Sequence, residues 1–256
     1  MNQIKQLPEE LQVQIFRDLL VKDFLDKELK MVQFCGENII FIEDPSEEIQ
    51  LAAVNQDSNA ILHIETPTEN VQLAAVTQNG HSIQFIEDPS EKVQLTAVSN
   101  YGYSIQHIKD PSEKLQLTAV TQNTDFIRFI EFPTENVQLA AVTQDGSAIR
   151  FIKDPTEKVQ LISVTQDGHS ILHIESPTEK VQLAAVTKNC YSIQHIKYPS
   201  ISVQLAAVTQ NGNVIQHIKT PYEKVQLAAV TQHRTFIYHI KNPSILVQLA
   251  ANKGEE

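Results

Sequence analysis

A single pattern of hydrophobic and polar positions recurs every 22 residues from Pro45 towards the C-terminus. Its clearest copy is PTENVQLAAVTQNGHSIQFIED, residues 67–88. A fixed period of this length is typical of a solenoid, in which stacked copies bury a shared core. Each repeat is numbered from its proline as position 0, and these prolines are Pro45, Pro67, Pro89, Pro111, Pro133, Pro155, Pro177, Pro199, Pro221 and Pro243.

The first half of each repeat predicts an α-helix. Aspartate, threonine, serine or asparagine precedes most of the prolines and glutamate usually stands at position 2, as in Asp88, Pro89 and Glu91. A capping residue, proline and glutamate in this order are typical of a helix start with a capping box. Apolar residues follow at positions 4 and 6 to 9. Where position 13 is glycine, as at Gly80, we expect a left-handed residue that ends the helix.

The second half of each repeat predicts a shorter helix. Isoleucines such as Ile83 and Ile86 recur at positions 16 and 19, a spacing that suits about two helical turns. The predicted fold class is therefore all-α, an α-solenoid of about ten 22-residue helix-turn-helix repeats. The alternative is a β-solenoid, because V-Q-L and I-Q-F each alternate in polarity. The capping boxes, the prolines and the paired alanines favour helices.

The pattern divides the chain into four segments. Residues 1–22 predict an N-terminal capping helix, and residues 23–44 a degenerate first repeat that lacks its proline. Residues 45–242 hold nine full repeats, and residues 243–256 a half repeat with a polar tail. Atypical end repeats are expected where a solenoid must shield its exposed faces.

Charge is distributed unevenly along the chain, whose net charge is −11. Residues 1–128 hold 9 basic and 20 acidic residues, whereas residues 129–256 hold 11 of each. Residues 177–241 carry 7 basic and 2 acidic residues. This gradient is either drift on a solvated surface or a device that orients the protein on a charged partner. The overall acidity disfavours nucleic acid as that partner.

The sequence also indicates where the protein resides. No apolar run is long enough to cross a membrane, and the start MNQIKQLPEE lacks the basic and apolar stretches of a signal peptide. Cys35 and Cys190 are too few to form a disulfide framework. We therefore predict a cytoplasmic protein, of a bacterium or of an infected host cell, with no membrane contact.

No residue pattern predicts catalysis. The sequence has no glycine-rich phosphate loop, HExxH or CxxC motif. Histidine recurs at position 18, but phenylalanine replaces it in other repeats, and ligands from repeats about 8–10 Å apart cannot share one ion. This column predicts aromatic packing, so we expect no enzyme, no cofactor and no metal site. The histidines are His63, His107, His173, His195, His217 and His239.

Glutamine occupies position 5 in all ten repeats. An unvarying amide in a stack predicts a structural ladder, in which each side chain bonds backbone of the next turn or of the loop beneath it. The alternative is an exposed stripe. The glutamines are Gln50, Gln72, Gln94, Gln116, Gln138, Gln160, Gln182, Gln204, Gln226 and Gln248.

Two sets of residues are candidates for binding a partner protein. Positions 14 and 17 vary most between repeats and share a helix face, and their tyrosines and arginines are residue types that anchor interfaces. Unconstrained drift is the alternative reading of these columns. At the C-terminal helix starts, apolar residues replace charged ones, which predicts an exposed rim that contacts a target or a second copy in a homodimer. The alternative there is a cap whose residues fold back on one another. The first set is Tyr103, Arg128, Arg150, Tyr191 and Tyr238, and the rim is Tyr198, Ile201, Ile245 and Leu246.

Two resemblances follow from these motifs. The P-S/T-E-x-V-Q-L-A-A-V and I-Q-x-I runs of residues 23–252 resemble short helical-hairpin repeats of domains of unknown function in giant-virus, phage and bacterial proteins. That resemblance implies an α-solenoid and no settled activity. The N-terminus is similar to the opening of an F-box, through Leu7, Pro8, Leu11, Ile15, Phe16 and Leu19.

The sequence therefore predicts a non-enzymatic repeat protein that acts as an interaction scaffold, binding or sequestering a macromolecular partner. The F-box resemblance implies an alternative, in which the N-terminus docks the adaptor subunit of a ubiquitin ligase and the repeats hold a target. No tryptophan follows in this chain, and residues 36–42 already obey the repeat pattern. A plain end cap is the other reading of this segment.

Overall fold

The protein is an all-α solenoid of 22-residue helical repeats, as predicted. The computed structural model describes residues 9–252, without the side chains of residues 9–10, 12–13 and 15–20. Residues 9–252 contain no strand, so the β-solenoid alternative is wrong. The α-helices are α1 (Glu9–Phe34), α2 (Glu47–Gln56), α3 (Glu69–Gln78), α4 (Glu91–Asn100), α5 (Glu113–Gln122), α6 (Glu135–Gln144), α7 (Glu157–Gln166), α8 (Glu179–Lys188), α9 (Ile201–Gln210), α10 (Glu223–Gln232) and α11 (Ile245–Asn252).

Short 3₁₀ helices, and not the predicted α-helical turns, form the second half of each repeat. Six residues are too few to sustain an α-helix, whereas a 3₁₀ helix places residues three apart directly above one another. The isoleucines at positions 16 and 19 therefore still share a buried face. These helices are Gly36–Phe41, Ser58–His63, Gly80–Phe85, Gly102–His107, Thr124–Phe129, Gly146–Phe151, Gly168–His173, Cys190–His195, Gly212–His217 and Arg234–His239.

The chain forms two compact units, Met1–Pro111 and Ser112–Glu256. In the first unit, α1 to α4 pack side by side in chain order, and the 3₁₀ helices form a second row against them. The second unit repeats this arrangement with α5 to α11 and their 3₁₀ helices. Each unit is thus two layers, one of α-helices and one of 3₁₀ helices.

The helix start lies further along the chain than predicted. Thr68, at position 1, is the N-cap of α3, and its hydroxyl accepts a bond from the Val71 backbone N–H at 3.4 Å. The helix therefore begins at Glu69, after Pro67 and not at it. The residue before the proline does not cap the helix. Several of these residues have a positive φ angle, in the left-handed region of the backbone that aspartate and asparagine tolerate. These are Asp44, Asp110, Asp154 and Asn242.

The glycine at position 13 is needed for close packing and not for a left-handed helix end. Among the described residues no glycine has a positive φ. Gly80 is buried at the start of its 3₁₀ helix, and a Cβ there would run into the carbonyl oxygen of Ala97 in the next repeat and lie 2.9 Å from the Tyr101 Cβ. The α-helix is ended by Asn79 instead, which has extended backbone and whose side chain accepts a bond from the His81 N–H.

The core is a set of columns that run through each unit. Positions 4, 8 and 9 of the α-helix and positions 16 and 19 are buried, as in Val71, Ala75, Val76, Ile83 and Ile86. The leucine at position 6 and the residue at position 7 lie beside this core and are in most repeats only half-buried. One repeat therefore buries about four branched aliphatic side chains, each worth roughly 1.5–3 kcal/mol before the entropy cost, and one alanine, which contributes less.

The first helix, α1, crosses residues 22 and 23 without a break. The predicted boundary between the capping segment and the degenerate repeat therefore lies inside one helix. In that repeat Val32, Gly36, Ile39 and Ile42 are buried like their counterparts in later repeats. No described helix is long and apolar enough to span a bilayer.

Candidate partner-binding surface

Neighbouring repeats are linked by a hydrogen bond between their helix starts. The serine or threonine that caps one α-helix donates its hydroxyl proton to the glutamate at position 2 of the preceding repeat, as Thr68 does to Glu47 at 2.6 Å. The same hydroxyl accepts a hydrogen bond from a backbone N–H of its own helix. One side chain therefore both caps its helix and links two repeats. The other pairs of this kind are Ser90–Glu69, Thr134–Glu113, Thr156–Glu135, Thr178–Glu157, Ser200–Glu179 and Ser244–Glu223.

An asparagine at position 3 strengthens two of these links. Asn70 donates to Glu47 at 3.2 Å, and Asn136 donates to Glu113 at 3.0 Å. The hydroxyl bond first, and then the amide bond, hold the pKa of each carboxyl below its ordinary value. Since these bonds favour the charged form, their contribution to stability is present above that ordinary value and is lost as the pH falls through the lowered one.

The link is replaced by apolar residues at one junction, between α9 and α10. Ile201 stands where glutamate accepts the bond elsewhere, and Tyr222 stands where serine or threonine donates it. Tyr222 makes no side-chain capping bond. Both partners of the contact have therefore changed together, which a random change at one position would not produce.

One of these two residues, Ile201, belongs to the predicted C-terminal rim. Tyr198 is 80% exposed, Ile201 39%, Ile245 75% and Leu246 61%, so the exposure that the sequence predicted for this rim is present. Tyr222 is 53% exposed and joins the set. The Lys197 ammonium lies 5.2 Å from the centre of the Tyr198 ring, within range of a cation–π attraction. The rim therefore combines exposed apolar side chains with positive charge.

A cleft of about 510 Å³ lies beside the rim, between the repeats that begin at Pro177 and Pro199 and the start of α10. Its lining contains no carboxylate. The polar and aromatic lining residues include Lys197, Lys219, His195, His217, Tyr198, Tyr222, Ser200 and Gln204. We name this cavity the basic cleft.

An equivalent cleft of about 430 Å³ occurs in the first unit, 154 residues earlier and at the same repeat positions. There Glu43 and Glu65 stand at the positions of the two lysines, and Asp44 stands at the position of Tyr198. We name this cavity the acidic cleft. One backbone architecture thus carries opposite charge in the two units.

The variable columns at positions 14 and 17 interlock between repeats. The Arg150 guanidinium donates to Asp125 of the preceding repeat at 3.0 Å and lies 4.5 Å from the centre of the Phe151 ring. Arg128 lies 4.9 Å from the Phe129 ring and 5.7 Å from that of Phe151. Both arginines therefore contribute to contacts between repeats.

The predicted tyrosines of these columns differ in exposure. Tyr103 is half-buried beside His81, with ring centres 6.4 Å apart. Tyr191 contacts the His217 ring at 6.1 Å and accepts a bond from Asn211 at 3.2 Å. Tyr238, in contrast, is almost fully exposed and presents its ring to solvent.

Three histidines of position 18, His107, His195 and His217, pack as aromatic side chains between repeats. Position 14 of one repeat meets position 18 of the next, so that the ring centres of His81 and His107 lie 5.1 Å apart and those of His169 and His195 5.5 Å apart. Burial first, and then the neighbouring histidine, lower the pKa of His107 and of His195. Because the fold favours the neutral rings, acidification through their usual range of about 6.5 weakens it. Residues 9–252 hold no group of three or more side chains that could bind a metal ion.

The glutamines at position 5 bond within a repeat. Gln50 donates to the carbonyl of Pro45 at 2.8 Å, which fastens the α-helix to its own proline and not to the next repeat. Gln116 accepts a bond from the Thr134 N–H of the next repeat at 3.4 Å. Gln204 makes the proline bond and also accepts one from the Tyr222 N–H of the next repeat at 3.3 Å. The same proline bond is made by Gln72, Gln94, Gln138, Gln160, Gln182, Gln204, Gln226 and Gln248.

The F-box-like residues are only partly within the described chain. Leu7 and Pro8 lie outside the described residues, and so do the side chains of Ile15, Phe16 and Leu19. Leu11, at the start of α1, is 50% exposed.

Sequence reasoning missed the link between helix starts and the two clefts. A signal was present, because glutamate at position 2 and serine or threonine 21 residues later recur together and fail together at Ile201 and Tyr222. No protein-family model, no curated protein and no solved structure matches this chain.

Proposed function

We propose that the protein is a non-enzymatic interaction scaffold that binds another protein through the rim formed by Tyr198, Ile201, Tyr222, Ile245 and Leu246. The observation that carries this proposal is the joint change at Ile201 and Tyr222. It exchanges a hydrogen-bonded contact for two exposed apolar side chains. Exposed apolar groups close together on one protein are typical of a surface that another chain covers.

The composition of the rim supports a protein partner. Tyrosine is among the residue types that contribute most to binding energy at interfaces, and isoleucine and leucine supply apolar area. Ile201 and Ile245 begin helices two repeats apart, a span of roughly 16–20 Å at ordinary helix spacing. That span is comparable to the central part of a standard protein–protein interface.

The variant Ile201→Glu with Ile245→Glu is expected to weaken binding at least about tenfold, because each glutamate would place a charge inside a desolvated contact. Capture of partners from an extract of the source cells, quantified by mass spectrometry, measures a heterologous contact. Light scattering measures self-association. If the rim joins two copies of the chain, the variant should have the mass of one chain.

A matched control is Leu62→Glu with Leu172→Glu, since these leucines are exposed as well, at 56% and 58%, but lie on 3₁₀ helices in other repeats. This control should behave as the wild type. If the rim variant, folded by circular dichroism, keeps the mass and the partners of the wild type, the rim is only an end cap and the proposal fails.

The F-box-like alternative remains a second candidate because Leu11 is exposed, as a docking residue must be. It requires that the wild-type chain retain the adaptor subunit of a ubiquitin ligase. A pull-down with that subunit, repeated with Leu11→Asp plus Ile15→Asp, distinguishes it from the first proposal.

A further inference from the structure

We infer that the basic cleft binds an extended acidic peptide segment of the partner. This inference rests on the proposed function, since it assigns the polar part of the contact whose apolar part is the rim. Three features of the cleft support this assignment: its charge, its aromatic side chains and the spacing of its repeats.

The charge of the cleft selects an anion. Lys197 and Lys219 lie one repeat apart on its lining, and His195 and His217 add two groups that can donate hydrogen bonds. The lining contains no carboxylate, and Glu179, outside it, is bonded to the lining residue Ser200. The acidic cleft shows that the fold does not require this charge, because Glu43 and Glu65 occupy the same positions there. Complementary potential of this kind raises both the rate and the specificity of association.

The aromatic side chains select a ligand with apolar parts. Tyr198 and Tyr222 line the cleft, and Ile201 follows directly after Ser200, another lining residue. A bare inorganic anion would use the lysines and leave the tyrosines without a contact. A peptide supplies carboxylates for the lysines and side chains for the two tyrosine rings.

The spacing of the repeats suits an extended chain. Neighbouring repeats lie about 8–10 Å apart, and a peptide in the extended polyproline II conformation rises about 3.1 Å per residue with three residues per turn. Acidic residues three positions apart on such a peptide lie on one face, about 9 Å apart, and would therefore reach Lys197 and Lys219 together. Single-stranded nucleic acid also carries regular negative charge, but the net charge of −11 opposes a long polyanion more than a short acidic peptide.

The probe is a fluorescein-labelled peptide of ten residues with aspartate at every third position and leucine and glycine between. Fluorescence anisotropy should show saturable binding to the wild-type chain. An otherwise identical peptide with asparagine for aspartate should bind at least about tenfold more weakly, since it lacks the charge that the lysines recognise.

The variant Lys197→Glu with Lys219→Glu gives the basic cleft the residues of the acidic one and should weaken binding of the aspartate peptide at least about tenfold. The control Lys109→Glu with Lys153→Glu makes the same change of net charge at the same repeat position elsewhere. It should stay within about twofold of the wild type, because neither of these lysines lines the basic cleft.

Equal losses in the two variants would mean that net charge alone attracts the peptide, and the inference would be wrong. It would also be overturned by no binding to the wild type, or by a ten-nucleotide single strand that binds the cleft more tightly than the peptide. These failures are separate from that of the proposed function. The Ile201→Glu, Ile245→Glu variant keeps both lysines, and its mass and partner capture are read without the peptide.

Discussion

Replacing Ile149 by alanine is expected to lower the free energy of unfolding by about 2–5 kcal/mol, because the cavity left in a close-packed interior adds to the lost burial of the side chain. Ile149 is 1% exposed in the 3₁₀ helix Gly146–Phe151 and stands at position 16 of the core column. Urea unfolding followed by circular dichroism measures the change.

Leu172→Ala is the control for this prediction. Leu172 is 58% exposed one position along its own 3₁₀ helix from the buried Ile171, so its truncation should cost no more than about 0.5 kcal/mol. A loss below about 1 kcal/mol for Ile149→Ala would show that the column of isoleucines is not the centre of the core. Since repeat stability is shared between neighbours, the transition is expected to broaden as well as to shift.

The variant Gly80→Ala is expected to cost about 1–3 kcal/mol through overpacking. Its new Cβ would collide with the Ala97 carbonyl oxygen, and backbone of the next repeat cannot turn away as a flexible side chain could. The matched control is Ser58→Ala, one repeat earlier at the same position, where the stack already accommodates a Cβ. That control should change stability by less than about 1 kcal/mol, and a cost for Gly80→Ala no larger than this would contradict the packing argument.

The period, the α-helices and most core columns could be predicted from the sequence because they depend on a pattern repeated ten times. The buried valines, alanines and isoleucines lie where the spacing placed them. The exposed rim at Tyr198, Ile201, Ile245 and Leu246 could also be predicted, since charged residues at the same positions of other repeats marked them as surface.

Features that depend on contacts between repeats could not be predicted from one repeat. The helix start at Glu69 instead of Pro67 follows from the double use of the Thr68 hydroxyl, which bonds both its own helix and a neighbour. The role of Gly80 follows from the approach of the next helix and not from its own φ angle. The basic cleft arises from two repeats together, so neither one shows it alone.

Photo-crosslinking at residue 198 tests most directly the claim that the rim and basic cleft form the partner contact. Tyr198 and Phe132 occupy the same repeat position and are 80% and 77% exposed, so a benzoylphenylalanine can replace either one in an equivalent setting. We predict that irradiation in an extract of the source cells crosslinks a discrete partner, or a second copy, at residue 198 and not at residue 132. Crosslinking only at residue 132, or the same partners at both residues, would contradict this account.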